Sequence, residues 1–369
     1  MNKIALTALA ETLPSTVPFI GPETQEREMR QEFIARLGAN ESVFGPSPHA
    51  ITAMRQAAAD VWKYGDPENY DLRQALAQHH GIDPSHIMVG EGIDGLLSYL
   101  VRLLVEPGMP IVTSEGAYPT FNFHVSGFGG VLHMVPYAAD HEDCNALIAK
   151  AHEVSAKIVY FANPDNPMGS WHEADVVDYF IDALPKTTLL ILDEAYVDLA
   201  PAGTAPKLQP ETENVIRMRT FSKAYGMAGA RVGYAIGPKS LITAFDKLRN
   251  HFGMSRISQA GALAALADQD YFNFVLKKVE HSRNQIAKIA QTNGLTTLPS
   301  AANFVAVDCG HDGAFARAVL HHLVENGIFI RMPAIAPMDR CIRVSCGDDT
   351  AMEAFAQALP QALIKARAP

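Results

Sequence analysis

Apolar positions follow two rhythms along this chain, and from about residue 47 onward the rhythms take turns. Pro48 to Val61, Leu72 to His80 and Leu96 to Val105 carry apolar residues at helical spacing. Between and after them come short apolar runs bounded by Gly, Pro, Asn or Asp, which read as strands. These are Ile87–Gly90, Pro110–Thr113, Gly130–Val135, Lys157–Phe161, Thr188–Leu192, Val215–Met218 and Val232–Ile236. The runs ending at Phe161 and Leu192 are almost continuously apolar, as expected of parallel strands covered on both faces. A helical stretch from about Leu241 to Asn293 follows. The tail then returns strand signals at Asn303–Val307, Ile328–Ile330 and Cys341–Val344. This alternation predicts an α/β architecture. Residues 46–245 form a large domain on a mostly parallel sheet, residues 246–369 a smaller α+β domain, and residues 1–45 an arm that joins the smaller one.

The length of 369 residues allows such a two-domain catalytic unit. Charge narrows the partners. The formal net charge is −10 and there is no Lys/Arg-rich run, so nucleic acid and anionic membranes are not expected as partners. No apolar stretch reaches the ~18 residues of a membrane span. Met1 to Ala10 has a weak signal-peptide look but reads as an N-terminal arm. Cys144, Cys309, Cys341 and Cys346 match no zinc spacing and read as free thiols in a reducing cytoplasm. His79-His80 and His321-His322 fit no metal spacing either.

The candidate chemistry sits in the turns after the buried strands. Lys223 lies in Arg219-Thr-Phe-Ser-Lys-Ala-Tyr-Gly226, and Arg231 follows in Gly229-Ala-Arg-Val-Gly233. A lysine amine forms a Schiff base with an aldehyde, while hydroxyls and an arginine beside it hold a phosphate. Asp193, closing the run Leu189–Leu192, suits a carboxylate that faces a pyridine nitrogen. Those are the demands of pyridoxal 5′-phosphate (PLP). Asn166, in Asn163-Pro-Asp-Asn-Pro-Met-Gly169, and Tyr196 could both bond the cofactor's phenolic oxygen, and Tyr118 could stack on its ring. Arg343, inside the apolar strand Cys341-Ile-Arg-Val-Ser345, needs an anionic partner, which a substrate carboxylate or phosphate would supply. Two other readings compete. Gly90-Glu-Gly-Ile-Asp-Gly95 fits a dinucleotide loop, with Glu115 near the place of a ribose-binding acid. Leu189 to Glu194 could be a Walker B strand, but the chain lacks the phosphate loop that must accompany it.

Taken together, these residues resemble the fold-type I PLP-dependent transferases, within them the class I/II aminotransferases and their histidinol-phosphate branch. The resemblance runs from Leu37-Gly-Ala-Asn-Glu41 to Gly347, and the gap between Asp193 and Lys223 resembles that branch. It implies a PLP-dependent aminotransferase acting on an amino donor and a 2-oxo acid. Lys223 would be the Schiff-base lysine, with Asp193 and Tyr196 beside it in catalysis. Ile93 and Asp94 would bind the cofactor phosphate through backbone N–H groups, helped by Thr220, Ser222 and Arg231. Tyr64, in Lys63-Tyr-Gly-Asp66, would reach the phosphate of a neighbouring subunit, which implies a homodimer with shared sites. Asn40, Arg331 and Arg343 would meet the substrate.

The chain departs from the family at three places. Gly65 stands where proline is usual, Met168 where threonine is usual, and Phe19 where a tyrosine would assist a substrate phosphate. The resemblance therefore supports the reaction class more firmly than the substrate. An aromatic or other amino-acid aminotransferase, or a decarboxylase or lyase on the same scaffold, remains open at this level.

Overall fold

The structure, a computed structural model, describes residues 4–15 and 20–367. Phe19 lies outside the described residues. Among those described, seven strands form the central sheet. Their spatial order is Ile87–Gly90, Gly233–Ile236, Val215–Thr220, Leu189–Asp193, Ile158–Ala162, Pro110–Ser114, Val131–Val135. Gly233–Ile236 runs antiparallel to both neighbours, and every other pair is parallel. The protein is thus α/β with a mostly parallel sheet.

Side-chain alternation explains why the central runs are apolar throughout. Successive residues of a strand point to opposite faces. Ile158, Tyr160, Leu189 and Ile191 pack with Leu97 and Leu100 of helix Gly92–Leu104. Val159, Phe161, Leu190 and Leu192 pack with Leu147 and Phe180 of helices Cys144–Val154 and Ala174–Ala183 on the other side. Both sets are buried, so both phases of the alternation must be apolar.

The C-terminal part builds a second sheet from Thr296–Thr297, Phe304–Asp308 and Cys341–Ser345, all antiparallel. Long helices Gln269–Thr292, Gly313–Glu325 and Asp349–Ala366 cover it around Val279, Ile286, Phe304, Val319 and Phe355. Residues of the N-terminal arm add a separate two-stranded sheet to this part, in which Ala35–Arg36 pairs in parallel with Ile328–Phe329.

The helical stretch expected from Leu241 to Asn293 is instead three separate helices, Lys239–Ala244, Arg256–Ala267 and Gln269–Thr292. The first break contains Gly253, where a Cβ would run into the Glu91 carboxylate, and ends at Ser255, which caps the next helix by accepting the Ser258 N–H at 3.0 Å. At the second, Asp268 ends one helix and caps the next, accepting the Tyr271 N–H at 3.2 Å. Helix Arg256–Ala267 packs with the large sheet, its Ala262 and Ala265 against Ala50, Met227 and Val232.

Behind the carboxyl ends of the strands lies a buried ion cluster. Glu194, next to Asp193, accepts from Arg219 Nε at 2.8 Å and from Arg217 Nη1 at 3.3 Å. Its side chain is 1% exposed, and those of Arg217 and Arg219 are 6% and 12% exposed. Two desolvated guanidiniums share this carboxylate, with the Pro206 and Lys207 carbonyls as further acceptors for Arg217. Replacing it with an isosteric amide, Glu194→Gln, should lower the unfolding free energy by about 3–5 kcal/mol, as when one member of a buried pair is removed. Urea denaturation measures this. A loss below about 1 kcal/mol would mean that the cluster behaves like a surface pair.

Candidate active site

Ligands of open parallel sheets bind where the strands end at their carboxyl termini. Here that edge opens into a cavity of about 810 Å³ between the two sheets. One end is an anion cup. Helix Gly92–Leu104 begins there without a side-chain cap, leaving its first N–H groups to a ligand. Gly92 has φ +77°, and a Cβ on it would strike the Arg231 guanidinium. A Cβ on Gly233 would lie 2.7 Å from the Ile93 nitrogen. Both positions must be glycine for helix start, strand and arginine to converge. Arg231 Nη2 stands 3.7 Å from Asp94, and Ser222 N–H donates to Thr220 Oγ1 at 3.0 Å. Ile93, Asp94, Thr220, Ser222 and Arg231 therefore line one corner of the cavity.

Lys223 occupies the middle. Its Nζ donates to the main-chain oxygen of Asn40 at 2.9 Å and lies 5.4 Å from the centre of the Tyr196 ring. Burial, and after it the Arg343 charge, push the amine down to about 8. The Tyr196 hydroxyl accepts from Asn40 Nδ2 at 3.2 Å and from Asn166 Nδ2 at 3.5 Å. Burial pushes that hydroxyl up to about 12, so it keeps its proton at neutral pH. Asn166 Oδ1 in turn accepts from Arg343 Nη1 at 2.5 Å, and Arg343 Nη2 donates to the Gly38 carbonyl at 3.2 Å.

Asp193 faces the same cavity from its strand end. Burial raises its carboxyl to about 6, opposed by bonds from Tyr160 and from the Ala195 N–H. Among the described residues it has no cationic partner within an ion pair, and the charges that act on it are those of Asp94 and Glu194, both acids. A cation from outside the chain would complete a buried carboxylate in that position. The protonated ring nitrogen of PLP is such a cation. An anion cup at one end, a buried amine in the middle and this acid therefore fit that cofactor.

The family model for aminotransferase class I and II matches residues 34–359. The chain belongs to that family. It is a PLP-dependent aminotransferase, and the dinucleotide reading of Gly90 to Gly95 falls away. A crystal structure of histidinol-phosphate aminotransferase from Sinorhizobium meliloti, in complex with pyridoxal-5′-phosphate, is 55% identical with a TM-score of 0.94 and covers 97% of both chains. Histidinol-phosphate aminotransferase of Anaeromyxobacter sp. is 34% identical over 342 residues, 91% of this chain and 93% of its own. Histidinol-phosphate aminotransferase 2 of Carboxydothermus hydrogenoformans is 31% identical over 343 residues, with the same coverage.

The remaining residues of this aminotransferase's site fall into two groups. Tyr118 and Arg331 line the cavity with Asn40 and Arg343. Arg331 Nη2 donates to the Ile20 carbonyl at 2.8 Å, and its backbone pairs with that of Arg343. Tyr64 does not reach the cavity of its own chain. Its side chain is on the surface, 76% exposed, with its ring 4.8 Å from that of Phe252. Met168, at the place of the usual threonine, is fully buried in a small apolar cluster with Ala306, Met338 and Cys341. A threonine hydroxyl would need a partner there.

One site residue escapes the sequence reading. Tyr160 lies inside the apolar run Lys157–Phe161, where it looks like core. Its ring stacks on Phe121 at 4.7 Å, and its hydroxyl donates to Asp193 Oδ2 at 2.5 Å. A hydrogen bond to a carboxylate favours the charged form. Tyr160→Phe should therefore raise the Asp193 carboxyl further and move the acid limb of turnover to higher pH. The expected displacement is about one pH unit, from a bond of roughly 1.5 kcal/mol to a charged group. A pH–rate profile checks this, and an acid limb that stays in place would mean that Asp193 does not set it.

Proposed function

We propose that this aminotransferase moves the amino group of histidinol phosphate to a 2-oxo acid, with Lys223 at the centre of the chemistry. The observation that carries the substrate reading is a second anion site. Arg331 and Arg343 are bridged through their backbones and line the cavity apart from the cup at Ile93 and Asp94. A guanidinium pair suits a phosphate or a carboxylate. The similarity to histidinol-phosphate aminotransferases supports the phosphate.

The residues divide the labour by position. Ile93, Asp94, Thr220, Ser222 and Arg231 would hold the cofactor phosphate, Asp193 its ring nitrogen, and Asn166 and Tyr196 its phenolic oxygen, with Tyr118 against the ring. Bound PLP supplies an aldehyde carbon that bonds amines and a ring that stores the electrons released at a substrate carbon. Lys223, brought down to about 8 by burial, has a large neutral fraction near that pH. In that form Nζ takes the proton from the amine-bearing carbon of the substrate. Asn40 aims the amine through its main-chain oxygen, and the Asn40 and Asn166 amides hold the Tyr196 hydroxyl in place. Arg343 and Arg331 fix the far end of the substrate.

Kinetics with two amino donors tests the substrate. Arg331→Ala and Arg343→Ala should each raise KM for histidinol phosphate steeply, and their effects should not add, because both hold one anion. Brisk transfer from phenylalanine with none from histidinol phosphate would reject this substrate and keep the reaction class.

The working unit is proposed to be a homodimer in the cytoplasm. Tyr64 is exposed beside Phe252 and outside its own cavity, as a residue would be that serves a neighbouring copy. The four cysteines are free and buried, in keeping with a reducing compartment. Tyr64→Phe should weaken PLP binding by about 0.5–3 kcal/mol while the dimer persists. Light scattering that shows a monomer at micromolar concentration would exclude a shared site.

A further inference from the structure

Asn40 presents its main-chain oxygen to the Lys223 amine from a turn conformation. Its φ is +55°, in the left-handed region, which asparagine enters more readily than other residues with a side chain. Contacts from outside the local sequence then fix its orientation. Two residues of the second sheet do so. Ser345 Oγ accepts from the Asn40 N–H at 3.0 Å and donates to Asn40 Oδ1 at 2.9 Å. Asn303 Nδ2 donates to the Asn40 carbonyl at 3.0 Å and to the Glu41 carbonyl at 3.3 Å. Asn303 and Ser345 leave the paired strands Phe304–Asp308 and Cys341–Ser345 at the same end, where Phe304 is opposite Ser345. Both are almost fully buried, at 1% and 2% exposure. Neither lines the cavity.

A carbonyl oxygen has two lone pairs. At Asn40 one receives Asn303 and the other receives the Lys223 amine. The Asn303 bond thus fixes the direction in which the remaining lone pair meets the lysine. Asn303 Oδ1 is buried and has no hydrogen-bond partner, so this amide contributes through its NH2 group alone. The same Asn40 also grips the Tyr196 hydroxyl, so its orientation reaches two groups of the site.

We propose that Asn303 and Ser345 are positioning residues for the reaction: acting through Asn40, they aim the Lys223 amine from the second sheet. The proposal rests on the reading of Lys223 as the reacting amine. That reading is scored separately, by whether borohydride fixes PLP to the peptide that contains Lys223.

The test uses the variants Ser345→Ala, Ser345→Thr and Asn303→Ala in the full chain. Two readouts are needed. With PLP bound, both alanine variants should lose kcat by roughly 10- to 100-fold at little-changed KM, the scale of a small misplacement of a reacting group. Ser345→Thr keeps the hydroxyl and should recover most of the rate. In the full chain stripped of cofactor, Lys223 is acylated across a pH series and followed by mass spectrometry. The Asn40 carbonyl favours the charged amine, so a misdirected carbonyl moves the acylation midpoint to lower pH. A purely structural role lowers the melting temperature and leaves that midpoint in place. An unmoved midpoint in the alanine variants overturns the proposal. If Asn303→Ala does not fold, Ser345→Ala decides alone.

Discussion

Burying the Asp193 carboxylate is the electrostatic demand around which this site is organised. Taking an ion out of water is costly unless partners replace the solvent. The protein supplies part of the replacement with Tyr160 and the Ala195 N–H, and burial still holds the acid near 6. The remainder is left to a cation that the chain does not carry. Glu194, the next residue, points its carboxylate the other way into Arg217 and Arg219. Two adjacent acids at one strand end thus have opposite fates, because strand alternation sends them to opposite faces. One is satisfied inside the fold and the other faces the cavity.

The same alternation explains what was legible in the sequence. Lys223, Asp193 and Asn166 stand out because they are polar residues at or just after the ends of buried strands, where a parallel sheet places its ligands, and Arg231 because it sits among glycines and alanines just before the next strand. The sheet itself was legible for a related reason: both phases of its central strands are apolar. Tyr160 was not, since a tyrosine in an apolar run gives no sign of which face it takes or that an acid lies across from it. Nor were Asn303 and Ser345, whose roles depend on pairing with a segment some 263 and 305 positions away. Of the two breaks in the expected helix from Leu241 to Asn293, the one at Asp268 is a local cap and the one around Gly253 involves a distant residue. Gly253 lies against the side chain of Glu91, which follows the edge strand Ile87–Gly90.

The site is shared between two sheets, and its parts have different sources of rigidity. The anion cup rests on the start of a well-packed helix and on glycines that permit close approach. The amine rests on a hydrogen-bond chain that passes from the second sheet through Asn40. The anion cup and the amine therefore have separate supports. Changes in the second sheet can alter one without the other.

The Arg343 guanidinium has acceptors of its own, Asn166 Oδ1 and the Gly38 carbonyl. Its Nε, by contrast, is buried with no hydrogen-bond partner, so the protein satisfies only part of this guanidinium. The two neutral acceptors hold the group in one orientation, and burial has already stripped its water. An anion drawn to this arginine would find a donor that is dry and fixed before it arrives, so the cost of drying and ordering the side chain is met in folding rather than in binding.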